Sequence, residues 1–154
     1  MENYTVTEAM EQAIQTEKLG QAFYTRMAEK FQDNEPLKNL FDTLAAKERH
    51  HEQTFTSLKG RVSDQHVENW EEASKYMRAI VESEYFLGKN KSLPEMKNIQ
   101  SIEDAVRFAI GFEKETLLYF HQMKDIVDDK ETMSAIIKEE QSHLVWLSDF
   151  RKNL

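Results

Sequence analysis

The sequence predicts an all-α protein, a four-helix bundle whose second and third long helices are joined by a long crossover. Only 4 Gly and 2 Pro occur among 154 residues, and 40% hydrophobic with 31% charged residues suits helices with solvated outer faces. Apolar residues recur every three or four positions along four long segments, as on one face of a helix. Because the chain is short enough to share one core, residues 1–154 are predicted to form a single domain.

The first two long helices are predicted to form an antiparallel hairpin. Thr5-Val6-Thr7-Glu8 has the pattern of a capping box, so the first helix is predicted to begin near Thr5. Asp33-Asn34-Glu35-Pro36 ends it, and Pro36 suits the first turn of the next helix. The second helix continues to about Leu58, and Gly60 closes it.

The long connector then carries an extra short helix from Asn69 to about Glu84, followed by a predicted loop over 87–100. Ser101 is a predicted cap for the third long helix, whose apolar row continues to Val127 before Asp128-Asp129 breaks it. The fourth helix follows directly. This long link lets the chain cross the bundle, so that the second and third long helices run parallel.

The two hairpins carry an internal repeat. Ala-Ile-Gln-Thr-Glu-Lys at 13–18 resembles Ala-Ile-Gly-Phe-Glu-Lys at 109–114, and a Glu-x-x-His pair follows each stretch. Glu and His spaced i and i+3 lie one turn apart on one helix face. Six candidate ligands interrupt rows that are otherwise mostly apolar, at similar depth in their helices: Glu17, Glu48, His51, Glu113, Glu140 and His143.

These six residues predict a buried site for two metal ions. Four ionised carboxylates in a low-dielectric core repel one another and lose hydration, whereas two divalent cations would balance their charge while both imidazoles bind neutral. Oxygen and imidazole ligands without thiolate suit iron or manganese, and zinc would also occupy such a site. We predict two iron ions. A single Glu-x-x-His is more typical of a solvated face, so the prediction depends on the whole set.

Tyr24 lies seven residues after Glu17, two turns along the same face. Its hydroxyl could hydrogen-bond a ligand carboxylate or move a proton, which makes it the candidate catalytic residue. A core tyrosine with a satisfied hydroxyl is an equal alternative. The matching position in the second half is Phe120, so the repeat is imperfect there.

Charge and composition exclude several classes of function. A net charge of -8 without a basic cluster argues against nucleic-acid binding. Zero cysteines exclude disulfides, thiolate catalysis and iron–sulfur clusters. No segment is apolar enough to span a membrane, and the N-terminus has no signal-peptide pattern. We therefore expect a soluble, cytoplasmic protein.

With these motifs the chain resembles the rubrerythrin family, in particular its short members. The resemblance covers nearly the whole chain and is carried by the stretches 13–24, 44–51, 109–114 and 139–143. It implies a ferritin-like fold, a di-iron site with the six ligands named above, a role for Tyr24 beside them, and a homodimer. Full-length rubrerythrins add a cysteine-rich rubredoxin domain, so the resemblance implies a separate electron donor such as a rubredoxin. Peroxide-reducing members carry an extra Glu one turn after the third-helix ligand, where this chain has Thr116.

Three functions remain open from the sequence. The first is a di-iron oxidoreductase that reduces peroxide or dioxygen in oxidative-stress defence. The second is a bacterioferritin-like ferroxidase or iron-handling protein, although the helix position that carries a haem-binding Met in bacterioferritins is Arg49 here. The third is a non-catalytic scaffold whose site holds a redox-silent ion.

Overall fold

The computed structural model describes residues 4–61, 69–83 and 96–154. Every regular element within these ranges is helical, which confirms the all-α class. The long helices are α1 (Val6–Lys30), α2 (Glu35–Lys59), α4 (Ile102–Met123) and α5 (Lys130–Lys152), and the connector holds α3 (Trp70–Ser83) and a short 3₁₀ turn (Met96–Asn98).

The helices begin where the capping residues predict. Thr5 Oγ1 accepts a hydrogen bond from Glu8 N at 3.0 Å, and Glu8 Oε2 accepts one from Thr5 N at 2.8 Å, which completes the capping box. Asn34 Oδ1 caps α2, and Ser101 Oγ caps α4. Gly60 ends α2 with an ordinary right-handed φ of -64°, so its conformational freedom is not what stops the helix.

Two parts of the second half differ from the prediction. Helix α4 ends at Met123, before Val127, because the bonds from Asp125 N to Gln122 O and from Ile126 N to Met123 O tighten the backbone into turns, although Val127 N still bonds Met123 O. Val127 remains buried nonetheless. The predicted loop over 87–100 lies partly outside the described residues, and its described end contains the 3₁₀ turn followed by buried Ile99.

The apolar core consists of two clusters at opposite ends of the bundle. Helices α2 and α4 both begin in the cluster around Leu44 and Val106 and end in the cluster around Phe55 and Phe120. Helices α1 and α5 run from the second of these clusters to the first. Helices α2 and α4 are therefore parallel, which confirms the predicted ferritin-like connection with one crossover.

A polar layer separates the two clusters. Along α1, the cluster around Phe55 and Phe120 ends at Ile14, the cluster around Leu44 and Val106 begins at Phe23, and Glu17 lies between them. The other three long helices show the same interruption at their candidate ligands. Helix α3 packs on α4 and contributes Met77 and Ile80 to one cluster. Within the described residues, no helix is both long and apolar enough to span a membrane.

Candidate metal centre

The six candidate ligands converge between the apolar clusters, and each is at most 1% exposed. They form two overlapping groups. The first contains Glu17 and His51, the second contains Glu113 and His143, and both contain Glu48 and Glu140. In each group the potential ligand atoms all lie within 4.8 Å of one another. Two carboxylates are thus placed where each could bridge two metal ions.

Both histidines turn the same ring nitrogen toward the cluster. The Nδ1 atom of His51 lies 2.8 Å from Glu140 Oε1 and 3.7 Å from Glu17 Oε1. The Nδ1 atom of His143 lies 3.1 Å from Glu140 Oε2 and 3.4 Å from Glu48 Oε1. The two rings stack with centroids 5.9 Å apart. The opposite ring nitrogens, both Nε2, therefore face outward, and each Nδ1 is the atom available to a metal.

Several buried polar atoms of the cluster have no hydrogen-bond partner among the described residues. They include both carboxylate oxygens of Glu17 and of Glu48, and one oxygen of Glu113. Buried carboxylate oxygens without a donor are costly and rare. Because these atoms face one another and are of the type that iron or manganese binds, the residues present fit a dinuclear metal site.

Glu139 was not among the predicted site residues, and its carboxylate lies outside the six-ligand cluster. Its Oε2 atom lies 2.6 Å from Nε2 of His51, on the side of the ring away from the other carboxylates. The Glu139 side chain is 42% exposed. The sequence marks Glu139 only by its position immediately before Glu140, and that position lies outside the apolar face of α5.

Tyr24 contacts the cluster directly. Its buried hydroxyl donates a hydrogen bond of 2.5 Å to Glu113 Oε1. Three phenylalanine rings surround the phenol: Phe23, Phe41 and Phe112. Burial, followed by the negative charge of Glu113, raises the pKa of Tyr24 well above its usual range, so the phenol keeps its proton.

Comparison with known proteins agrees with this geometry. The chain matches the model of the rubrerythrin family over residues 8–151. It belongs to the rubrerythrin family. No curated protein matches the chain with significance.

A solved structure shares the fold of this rubrerythrin-family chain. It is the crystal structure of a Thermotoga maritima protein described as ferritin-like and diiron-carboxylate. The two chains superpose with a TM-score of 0.73 at 22% sequence identity, and the match covers 99% of this chain and 97% of the other. At this identity the likeness establishes the ferritin-like fold.

In the absence of metal, protons balance the charges of the site. Burial, then repulsion by Glu140, raises the pKa of Glu17 and Glu48 well above the usual range and that of Glu113 to about 8. Burial also opposes ionisation of Glu140, but hydrogen bonds from Glu113 and the histidines prevail and hold its pKa well below the usual range. A metal ion must therefore displace protons when it binds.

The two imidazoles hold part of this proton charge. Burial opposes charge on His51, but the hydrogen bond to Glu140 outweighs it and raises the pKa to about 9. Burial is likewise outweighed at His143, where hydrogen bonds to Glu113 and Glu140 raise the pKa to about 12. These shifts favour the protonated rings at neutral pH, and a metal ion that bound Nδ1 would have to replace its proton.

Thr116 lies one turn after Glu113, where the resemblance to peroxide-reducing rubrerythrins implied an extra glutamate. It is fully buried, and its hydroxyl donates a 2.8 Å hydrogen bond to the carbonyl of Phe112 one turn earlier. Within the described part of the chain, neither ligand group contains a further carboxylate. Among the described residues, the two groups thus contain the six candidate ligands and no seventh carboxylate.

Proposed function

We propose that this protein is a di-iron carboxylate oxidoreductase that reduces hydrogen peroxide or dioxygen in oxidative-stress defence. The observation that supports this most is the sharing of Glu48 and Glu140 by both ligand groups. Two shared carboxylates would keep two metal ions close enough to act on the two ends of one oxidant molecule. A single-metal site would need only one of the two groups.

Iron fits the donor set and the charge of the site. The ligands are carboxylate oxygen and imidazole nitrogen, and thiolate donors that would favour softer metals are absent because the sequence has no cysteine. Two divalent ions offset four buried carboxylates, while zinc or manganese are possible substitutes. When bound, reduced iron would supply both the electrons and the Lewis acidity for cleavage of an O–O bond.

The residues of the chain would hold the ions, exclude bulk water and handle protons. Apolar clusters on both sides of the polar layer limit access of water to the ligands. Tyr24 would supply a proton to the oxidant beside the metal ions, since its phenol keeps its proton and is held at the site by its hydrogen bond to Glu113. We propose Tyr24 as the catalytic residue for this reason.

Electrons would come from a separate donor. Because the 154 residues contain no cysteine, they cannot hold the thiolate-bound iron of a rubredoxin. We propose a separate electron-donor protein such as a rubredoxin, and a homodimer as the working assembly. Exposed apolar side chains on the outer faces of α4 and α5 are consistent with a protein contact: Leu118, Val145 and Trp146.

Thr116 favours a second candidate function, oxidation of ferrous iron as in bacterioferritin-like proteins. The threonine leaves six ligands, without the seventh carboxylate of peroxide-reducing relatives. A ferroxidase that stores iron needs a hollow shell of many chains, whereas the first proposal needs only a dimer. Light scattering after size exclusion separates the two, because a mass near two chains contradicts storage.

The proposal is tested on protein from iron-replete cells purified without oxygen. We expect about two irons per chain and, after reduction, ferrous iron that is oxidised by peroxide much faster than free ferrous iron in dialysis buffer. The double variant Glu48→Gln with Glu140→Gln should lose the iron and the reaction while keeping its helix content. Equal rates of iron oxidation by peroxide in the protein and in the buffer control would contradict an oxidoreductase function.

A further inference from the structure

The two histidines of the site differ in what they contact on the side away from the cluster. The Nε2 atom of His51 lies 2.6 Å from the carboxylate of Glu139. The Nε2 atom of His143 is buried and has no hydrogen-bond partner among the described residues. The ring of His143 instead neighbours Trp146, with centroids 5.4 Å apart. One imidazole is therefore oriented by an anionic acceptor, and the other is held by packing.

The cause of this difference lies in the internal repeat. Glu139 precedes Glu140 in α5, and the residue that precedes the matching Glu48 in α2 is Lys47. Lys47 is exposed, and a lysine cannot accept a proton from an imidazole N–H. The repeat thus supplies an outer carboxylate to the histidine of α2 and none to the histidine of α5.

An outer carboxylate changes the strength of a histidine ligand. When Nε2–H donates to a carboxylate, the ring orientation and tautomer are fixed and the Nδ1 lone pair becomes more basic. Tyr24 has the opposite effect in the second group, since its phenol donates to Glu113 and draws electron density from that carboxylate. Both oxygens of the matching Glu17 have no donor among the described residues. Both differences make the first group the stronger set of ligands.

We propose that the two metal positions are unequal, that the position of Glu17 and His51 fills first and more tightly, and that Glu139 is the positioning residue responsible. This inference rests on the dinuclear site of the proposed function, and it does not depend on the reaction. The shared carboxylates Glu48 and Glu140 contribute to both positions, so the difference must come from the residues that are not shared.

The test is a titration of chelator-treated protein with Co²⁺, followed by visible absorption and calorimetry. We expect two ions per chain in two resolved steps, the first at least about tenfold tighter, because loss of an outer partner of a metal-bound histidine typically changes affinity 10–100-fold. The variant Glu139→Gln should weaken the first step by about that factor, and Glu139→Ala by at least as much. The second step should change less than about threefold.

The matched control is Glu131→Gln, which removes the same charge from an exposed position of the same helix. It should leave both steps unchanged. Because the Glu139 side chain is 42% exposed, its substitutions should keep the melting temperature of the metal-free protein, which circular dichroism checks. The inference would be overturned by two equal binding steps in the parent protein. It would also be overturned if Glu139→Gln weakened both steps, neither step, or only the second step. Two bound ions with unaltered steps contradict this inference alone, whereas no bound metal also contradicts the proposed function.

Discussion

The Nδ1 atom of His51 lies 2.8 Å from Oε1 of Glu140, although 89 positions separate the two residues. They belong to different helical hairpins, so this contact exists only when the hairpins are packed together. The other oxygen of Glu140 lies 3.1 Å from Nδ1 of His143. Glu140, like Glu48, is therefore a residue through which the two ligand groups meet.

Substitution of this residue should empty both metal positions. We expect Glu140→Gln to bind less than about one metal per chain, whereas Glu17→Gln, which removes a ligand from only one group, should retain about one. Elemental analysis after dialysis against dilute metal measures both values. If Glu140→Gln kept a full complement of metal, Glu140 would not be a shared ligand.

The six ligands were predictable because each breaks an apolar helical row, and such breaks are informative where solvent is excluded. All six lie in the layer between the two core clusters. The ferritin-like topology followed from the short and long connections, and the structure and the family agree with it. That these residues bind metal stays a prediction until metal content is measured.

The sequence could not show the Glu139 contact, nor which ligand carboxylate Tyr24 would meet. Glu139 lies off the apolar row of α5, and its partner is on the opposite hairpin, so no local pattern marks it. Tyr24 shares a helix face with Glu17, yet its hydroxyl reaches Glu113 in α4. Long helical side chains lean toward the N-terminus of their helix, which brings the phenol back to the level of the ligands. Which neighbouring helix it meets depends on the packing.

The residue at which α4 ends could not be predicted from the apolar periodicity either. The row of buried residues continues through Val127, although the helix stops at Met123. A residue in a turn can reach the core as well as a helical one can. Periodicity therefore predicted that Val127 is buried and could not predict the backbone that puts it there.

Gly20 creates space for the ligand Glu48. A Cβ atom at this position would lie 3.0 Å from Phe112 Cε1 and 3.2 Å from Glu48 Cγ, and both neighbours are buried. Overpacking costs about 1–3 kcal/mol, more than the ~1 kcal/mol that alanine gains over glycine in a helix. We expect Gly20→Ala to weaken metal binding about tenfold or more, because Glu48 must shift. Calorimetric titration with metal measures this change in affinity.

The control for this substitution is Gly60→Ala. A Cβ atom at Gly60 would make only ordinary contacts, the nearest at 3.5 Å from the carbonyl of Ser57. This variant should bind metal as the parent does and unfold at the same or a slightly higher temperature. Equal metal affinity in both variants would contradict the tight fit of Gly20 against Glu48.

The metal-free protein should lose stability as the pH rises from about 6 to 9. Burial and repulsion by Glu140 raise the pKa of Glu113 to about 8, and hydrogen bonds raise that of His51 to about 9 despite burial. A group whose pKa is higher in the folded state stabilises it fully below the unfolded pKa, and that contribution is lost as pH rises through the folded pKa. Thermal melts in the presence of a chelator measure this slope.

Bound metal should counteract this loss of stability at higher pH. Ligands must lose protons to bind, so affinity increases with pH, and binding to the folded state alone raises its stability. We therefore expect the difference in melting temperature between metal-loaded and chelator-treated protein to widen between pH 6 and 8. A constant difference over this range would mean that the buried carboxylates and imidazoles release no protons to the metal.

The Tyr24 hydroxyl is the proposed proton donor, and its removal separates chemistry from metal binding. We expect Tyr24→Phe to retain about two irons per chain and to react with peroxide about 10²-fold more slowly, the lower end of the range for acid–base catalysis. Stopped-flow oxidation of the reduced protein measures the rate, and elemental analysis gives the iron content. The matched control is Tyr119→Phe, which removes a buried phenol whose hydroxyl donates to the Ala9 carbonyl and contacts Tyr4. Equal slowing in both variants, or an unchanged rate in Tyr24→Phe, would assign Tyr24 to packing rather than to proton delivery.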